Sequence, residues 1–199
     1  MKPNILFLLG LLLFIQGCAT TQPRCNSLSK IDEEGLWYKK FYRGAGVRPL
    51  CAHSSNRYET YRLVILRTFH NPIFIDLEKA GSRIEVSAVR LNGAGGYSPG
   101  KPVEYKSSKV STEEFKKFKQ KIASVDFWNL MTEDEKMQEA NKNNEDVIIV
   151  MDGAVWIFEG ASYNTYHIFD RHSDYEDELW EIGNFLIKKS RINTNGGIY

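Results

Sequence analysis

Tyr61-Arg62-Leu63-Val64-Ile65-Leu66-Arg67-Thr68-Phe69 has the composition of a strand, and four of its consecutive residues, Leu63 to Leu66, are apolar. Side chains alternate between the two faces of a strand, so this segment is hydrophobic on both and belongs in the middle of a sheet covered from each side. Downstream, Ile73, Ile75 and Leu77 alternate with Asp76 and Glu78, and Ile84, Val86 and Ala88 alternate with Glu85 and Ser87. Both segments read as strands with one face in the core. The links at Asn71-Pro72 and Ala80-Gly81-Ser82 are turn chemistry and too short for crossover helices, which predicts antiparallel neighbours.

Beyond a loop from Asn92 to Pro102, a further strand is expected from Val103 to about Val110, followed by a helix. Ser111-Thr112-Glu113-Glu114 is a capping box, in which serine and glutamate each satisfy a backbone N–H of the first turn. Phe115, Phe118 and Ile122 share one face of that helix, and Lys116, Lys117, Lys119 and Lys121 form a solvated face. Residues 132–146 are polar and acidic without a hydrophobic period, which predicts a surface loop. Asp152-Gly153 between Val147–Met151 and Ala154–Phe158 suits a tight hairpin, and a second reversal near Gly160–Asn164 leads into Tyr166–Arg171. Ser173-Asp174-Tyr175-Glu176 reads as another capping box, opening a last helix with Leu179, Ile182 and Leu186 inward and Lys188, Lys189 and Arg191 at the end that the helix dipole prefers. The aromatic group Trp37, Tyr38, Phe41 and Tyr42 docks on the core, with a period that does not separate helix from strand. The expected fold is α+β: a meandering antiparallel β-sheet with two principal helices packed against it, in a single domain over 36–192 with a flexible tail over 193–199.

The whole chain of 199 residues is 42% hydrophobic and 13% aromatic, with six prolines and fifteen glycines, which excludes disordered and collagen-like classes. Its 26 basic residues against 25 acids give a net charge of +1, so no dominant field recruits nucleic acid.

At the amino end, Lys2 precedes eleven residues, Ile5 to Ile15, that are apolar apart from Gly10. As a helix this run rises about 16 Å, roughly half the hydrocarbon core of a bilayer, and it reads as a cleaved export signal over 1–17. Ile15-Gln16-Gly17-Cys18 then resembles the lipobox of bacterial lipoproteins, with Gln16 the less usual occupant of its position. The resemblance implies that Cys18 is acylated, palmitate among its chains, and becomes the new amino terminus. Ala19 in place of an aspartate implies, for a Gram-negative source, the outer membrane facing the periplasm. Residues 18–35 are a polar tether containing Pro23 and Gly35. Loss of Lys2 lowers the 26 basic residues to 25, matching the acids. Cys25 and Cys51 remain in an oxidising compartment, where a disulfide between them is expected.

Two groups of residues suggest chemistry. Gly95 to Pro102 is one residue from a phosphate-binding P-loop, but Pro102 replaces the magnesium-binding hydroxyl and a strand follows where a helix is required. No nucleotide or other cofactor is therefore expected, and Tyr97 is read as a packing anchor or an exposed contact. Tyr166 to Asp174 is the densest polar group: alternation puts His167 and Arg171 on one face of a strand and Asp170 and His172 on the other. A metal would need His70 or Asp174 as well, and acid–base hydrolysis would need His167, Asp170 and His172 to converge, so the expectation is structural hydrogen bonding without metal or catalytic residue. No Gly-x-Ser-x-Gly elbow or Cys/His motif supplies a nucleophile.

Trp156-Ile157-Phe158-Glu159-Gly160 with Tyr166-His167 and Arg171, together with Arg67-Thr68-Phe69-His70 and Gly93-Ala94-Gly95-Gly96-Tyr97, resembles a group of uncharacterised bacterial lipoproteins from about Tyr61 to Leu186. The chain departs from the common form after Arg171, where His172-Ser173-Asp174 replaces an aromatic-Ser-Pro ending. The resemblance implies an envelope lipoprotein and carries no catalytic residue. The expected role is non-catalytic binding or support of an envelope protein partner. The alternatives are an immunity protein against a toxin delivered to the periplasm and an enzyme using His167, Asp170 and His172.

Overall fold

A computed structural model describes residues 37–53, 58–145, 153–163, 165–172 and 178–197. Helix α1 (Trp37–Ala45) leads through a 3-10 turn at Leu50–His53 into β1 (Tyr58–Arg67), β2 (Ile73–Ala80), β3 (Arg83–Leu91) and β4 (Pro102–Lys109). Helices α2 (Thr112–Ser124) and α3 (Glu133–Asn143) follow, then β5 (Ala154–Ser162), β6 (Thr165–His172) and α4 (Glu178–Ser190). The six strands form one antiparallel sheet in the order β4-β3-β2-β1-β5-β6, the α+β architecture expected. β1 lies between β2 and β5, with Leu63, Val64 and Ile65 fully buried, as a strand apolar on both faces requires.

One sheet face packs Leu63, Ile65, Ile75, Val86, Trp156 and Phe158 against Phe118, Ile122, Ile182 and Leu186 of α2 and α4. The other packs Val64, Leu66, Phe74, Val89 and Ile157 against Tyr38, Phe41 and Tyr42, so the undecided aromatic group is the helix α1. The α2 capping box forms as expected, Glu114 N donating to Ser111 Oγ at 3.2 Å and Ser111 N to the Glu114 carboxylate at 2.9 Å. In α4, a Cβ at Gly183 would lie 2.0 Å from the Trp156 ring, so only glycine lets that indole, stacked on Trp180 at 5.0 Å, reach the helix backbone.

Three expectations need correction or restriction. The loop expected over 132–146 contains α3, opened by a second capping box from Thr132 and Glu135. None of its residues is buried, which is why a search for hydrophobic period overlooks it. The expected hairpin partner Val147–Met151, like the Ser173–Glu176 capping box, lies outside the described residues, and both edges of β5 are occupied, by β1 and by β6. The tail expected to be flexible over 193–199 makes contacts as far as it is described: Arg67 Nη1 donates to Gly197 O at 2.8 Å and Asn195 Nδ2 to Asn71 Oδ1 at 3.1 Å.

Candidate functional site

The polar residues of β6 clamp one segment of backbone. His167 Nε2 lies 2.8 Å from the Leu130 carbonyl, which can only accept, so this nitrogen carries the proton. Arg171 Nη1 donates to Met131 O at 2.7 Å, and its guanidinium sits 5.0 Å from the Phe169 ring. Asp170 Oδ1 accepts the Glu133 N–H at 3.0 Å, satisfying a donor of the first turn of α3. Burial raises the Asp170 pKa, against the Glu133 N–H, which lowers it, and the Glu133 and Asp134 charges raise it further. The sheet alternation places His167 with Phe169 and Arg171, and Asp170 with Ile168 and His172 on the opposite face. His167, Asp170 and His172 therefore do not converge. Among the described residues, no group of three or more His, Cys, Asp or Glu is placed to hold a metal ion. Asp174 lies outside them, and His70 belongs to the β1–β2 loop.

A second cluster lies under α1 and the Leu50–His53 turn. Arg62 makes a two-pronged pair with Asp76, Nε to Oδ1 at 2.6 Å and Nη2 to Oδ2 at 2.7 Å. Its Nη1 reaches Glu159 Oε2 at 3.1 Å and Arg48 O at 2.7 Å. Glu159 is fully buried and also accepts from Tyr166 OH at 2.7 Å and Leu50 N at 3.2 Å. Two carboxylates thus share one guanidinium. Burial opposes the Arg62 charge, but Asp76 and then Glu159 hold its pKa above the ordinary value. Burial raises Glu159, and the pull of Arg62 does not cancel that rise. Arg62 and Asp76 escaped sequence reading because Asp76, in an alternating strand, looks solvent-facing until α1 covers that face. Cys51, in the same turn, is buried and disulfide-bonded. Its partner lies outside the described residues, among which neither Cys18 nor Cys25 falls.

The third cluster brings together segments far apart in sequence. Gly95 N donates to His70 O at 2.9 Å and Gly96 N to Thr68 O at 3.0 Å, stitching the β3–β4 loop to the β1–β2 loop. A Cβ on Gly95 would stand 2.5 Å from both Arg67 N and Arg67 O, so the backbones meet at a distance only glycine permits. Asn71 Nδ2 donates to Gly93 O at 3.0 Å, and the fully buried Arg67 reaches Asn71 O at 3.3 Å as well as Gly197 O. This interlocked backbone displays two aromatic rings to solvent: Phe69, 69% exposed, and Tyr97, 60% exposed, lie 5.9 Å apart. Lys40 Nζ donates to Tyr97 O at 2.7 Å and lies 4.7 Å from the Trp37 ring, tying the start of α1 to the same end of the molecule. Tyr97 was legible as a contact residue and Phe69 was not, although Arg67-Thr68-Phe69-His70 and Gly93-Ala94-Gly95-Gly96-Tyr97 are both among the motifs quoted above. The P-loop-like segment ends at Pro102, where β4 begins.

The fold and these clusters define an open-sheet α+β domain that displays an aromatic pair on hydrogen-bonded loops. No protein-family model matches the chain, and no curated protein matches it. No helix among the described residues is long and apolar enough to cross a membrane.

Proposed function

We propose that this protein is a lipid-anchored bacterial envelope lipoprotein, held through Cys18 and acting by non-catalytic binding of an envelope protein through the Phe69–Tyr97 surface. The observation that carries the binding reading is that aromatic pair, exposed to solvent on loops whose backbones are locked together. Exposed rings on an ordered platform lose little conformational freedom on contact, which suits a recognition anchor. The anchor rests on the apolar run ending at Ile15-Gln16-Gly17-Cys18, and the disulfide at Cys51 supports export to an oxidising compartment. The outer membrane facing the periplasm is the destination favoured by Ala19.

A photoreactive amino acid placed at Tyr97 in cells should capture a discrete partner, and Phe69→Ser with Tyr97→Ser should abolish copurification of that partner while the circular dichroism spectrum stays unchanged. Retention of the partner by the double variant would remove this surface from the interaction. Separately, wild type should partition into detergent and carry acyl mass at Cys18, and Cys18→Ala should do neither.

A further inference from the structure

β4 closes one end of the sheet. Pro102–Lys109 pairs on one side with β3 and, among the described residues, has no strand on the other, and both Val103 (49%) and Tyr105 (68%) are exposed. An open strand edge carrying solvent-exposed apolar residues invites pairing with another strand. The opposite edge strand, β6, is covered by the segment 130–133 and α3 through the His167, Asp170 and Arg171 contacts.

We infer that two copies of this chain pair through their β4 edges, antiparallel about a two-fold axis through Tyr105, to make one continuous twelve-stranded sheet. The occupant follows from the charge pattern Val103-Glu104-Tyr105-Lys106-Ser107. A two-fold axis normal to the sheet keeps each residue on its own face, so it must pass through a residue position. Centring on Glu104 or on Lys106 sets like charges directly opposite each other, which destabilises a cross-strand pair. Centring on Tyr105 instead sets Glu104 opposite Lys106 of the second copy, twice by symmetry, and sets the two Tyr105 rings together with Val103 against Ser107. Glu104 is fixed in place for this: its Oε2 is held by Arg90 Nε at 2.9 Å, the carboxylate also accepts the Asn193 backbone N–H, and its Oε1 lies 3.7 Å from Lys106 Nζ of its own strand. Lysine on an edge normally discourages pairing. Here the glutamate two residues earlier turns Lys106 into a register device. Tyr105 and Lys106 also border a groove of about 360 Å³ floored by Phe74 and Val89, and the second Tyr105 extends its outer wall.

Sedimentation equilibrium of the full mature chain, in a detergent matched to solvent density, should show a concentration-dependent dimer. Lys106→Glu keeps the lipid but faces Glu104 of the other copy, and should weaken the dimer about tenfold or more. Register is read by thiol crosslinking: Tyr105→Cys should crosslink with itself, whereas Val103→Cys should crosslink only when mixed with Ser107→Cys. A wild-type chain that sediments as a monomer throughout the micromolar range would overturn the inference. So would a dimer indifferent to Lys106→Glu, or self-crosslinking by Val103→Cys alone.

Discussion

Arg62 is one buried positive charge shared by the fully buried Glu159 and the partly exposed Asp76, and that imbalance has measurable consequences. Removing the guanidinium would leave the fully buried Glu159 without its counter-charge and with the repulsion of nearby Asp76 uncompensated. Deleting one partner of a buried ion pair costs about 3–5 kcal/mol, so Arg62→Met should lose that much in urea unfolding. Glu159 makes the pH argument. Burial raises its pKa in the folded state above the ordinary 4.5, so the native chain holds that proton more tightly than the unfolded chain. Stability from this group is therefore complete below 4.5 and declines as pH rises through the raised value. Asp170 has the same sign. Replacing Glu159 with glutamine removes one titration and leaves the other, so stability measured from pH 4.5 upward should fall less steeply in Glu159→Gln than in wild type. An unchanged slope would mean that Glu159 is ionised in the native protein across the range.

At the level of elements, α2 and α3 show what a sequence reveals and what it conceals. Both begin with a hydroxyl three residues before a glutamate, Ser111 with Glu114 and Thr132 with Glu135, and both boxes form. The first was legible because Phe115, Phe118 and Ile122 follow at helical spacing; the second has no buried residue, so only its cap announces it. The strands β1 to β3 were legible from their apolar patterns and short turns, β4 as a further strand beyond the Asn92–Pro102 loop, and β5 to β6 from the reversal between them. Docking of α1 over Asp76 was not legible, because a charged residue in an alternating strand carries no mark of what will cover it. In the candidate site, the β6 residues could be assigned to faces but not to partners, since the carbonyls of Leu130 and Met131 they engage have no side-chain signature. The start of α3 rests on Thr132 from within and Asp170 from β6. Thr132→Ala should cost about 1 kcal/mol, and Asp170→Ala should speed hydrogen exchange at Glu133 and its neighbours while amides of β5 stay protected. Equal exchange in the variant and wild type would show that α3 does not depend on β6.

Across the whole molecule, the apolar run Leu63–Leu66 demands two strand neighbours, and the chain supplies one at once and the other about ninety residues later. The β1–β2 turn leads into β2, whereas β5 returns only after α2 and α3, so the sheet cannot close until most of the chain has been made. The Leu50–His53 turn sits over this late junction, with Leu50 N on Glu159 of β5 and Cys51 disulfide-bonded beside it. The sequence offers Cys51 two partners, and the lipoprotein reading chooses between them: a Cys18 thiol bound to diacylglycerol is no longer free to bridge, leaving Cys25. Peptide mapping without reduction should therefore recover Cys25 joined to Cys51 and acyl mass on Cys18. Cys25→Ser should lower stability by about 3 kcal/mol and leave membrane partitioning intact, while Cys18→Ala should release the protein from membranes and leave its unfolding midpoint unchanged. A bond between Cys18 and Cys51 would defeat the anchor and the export argument's choice of partner together, because one sulfur cannot serve both.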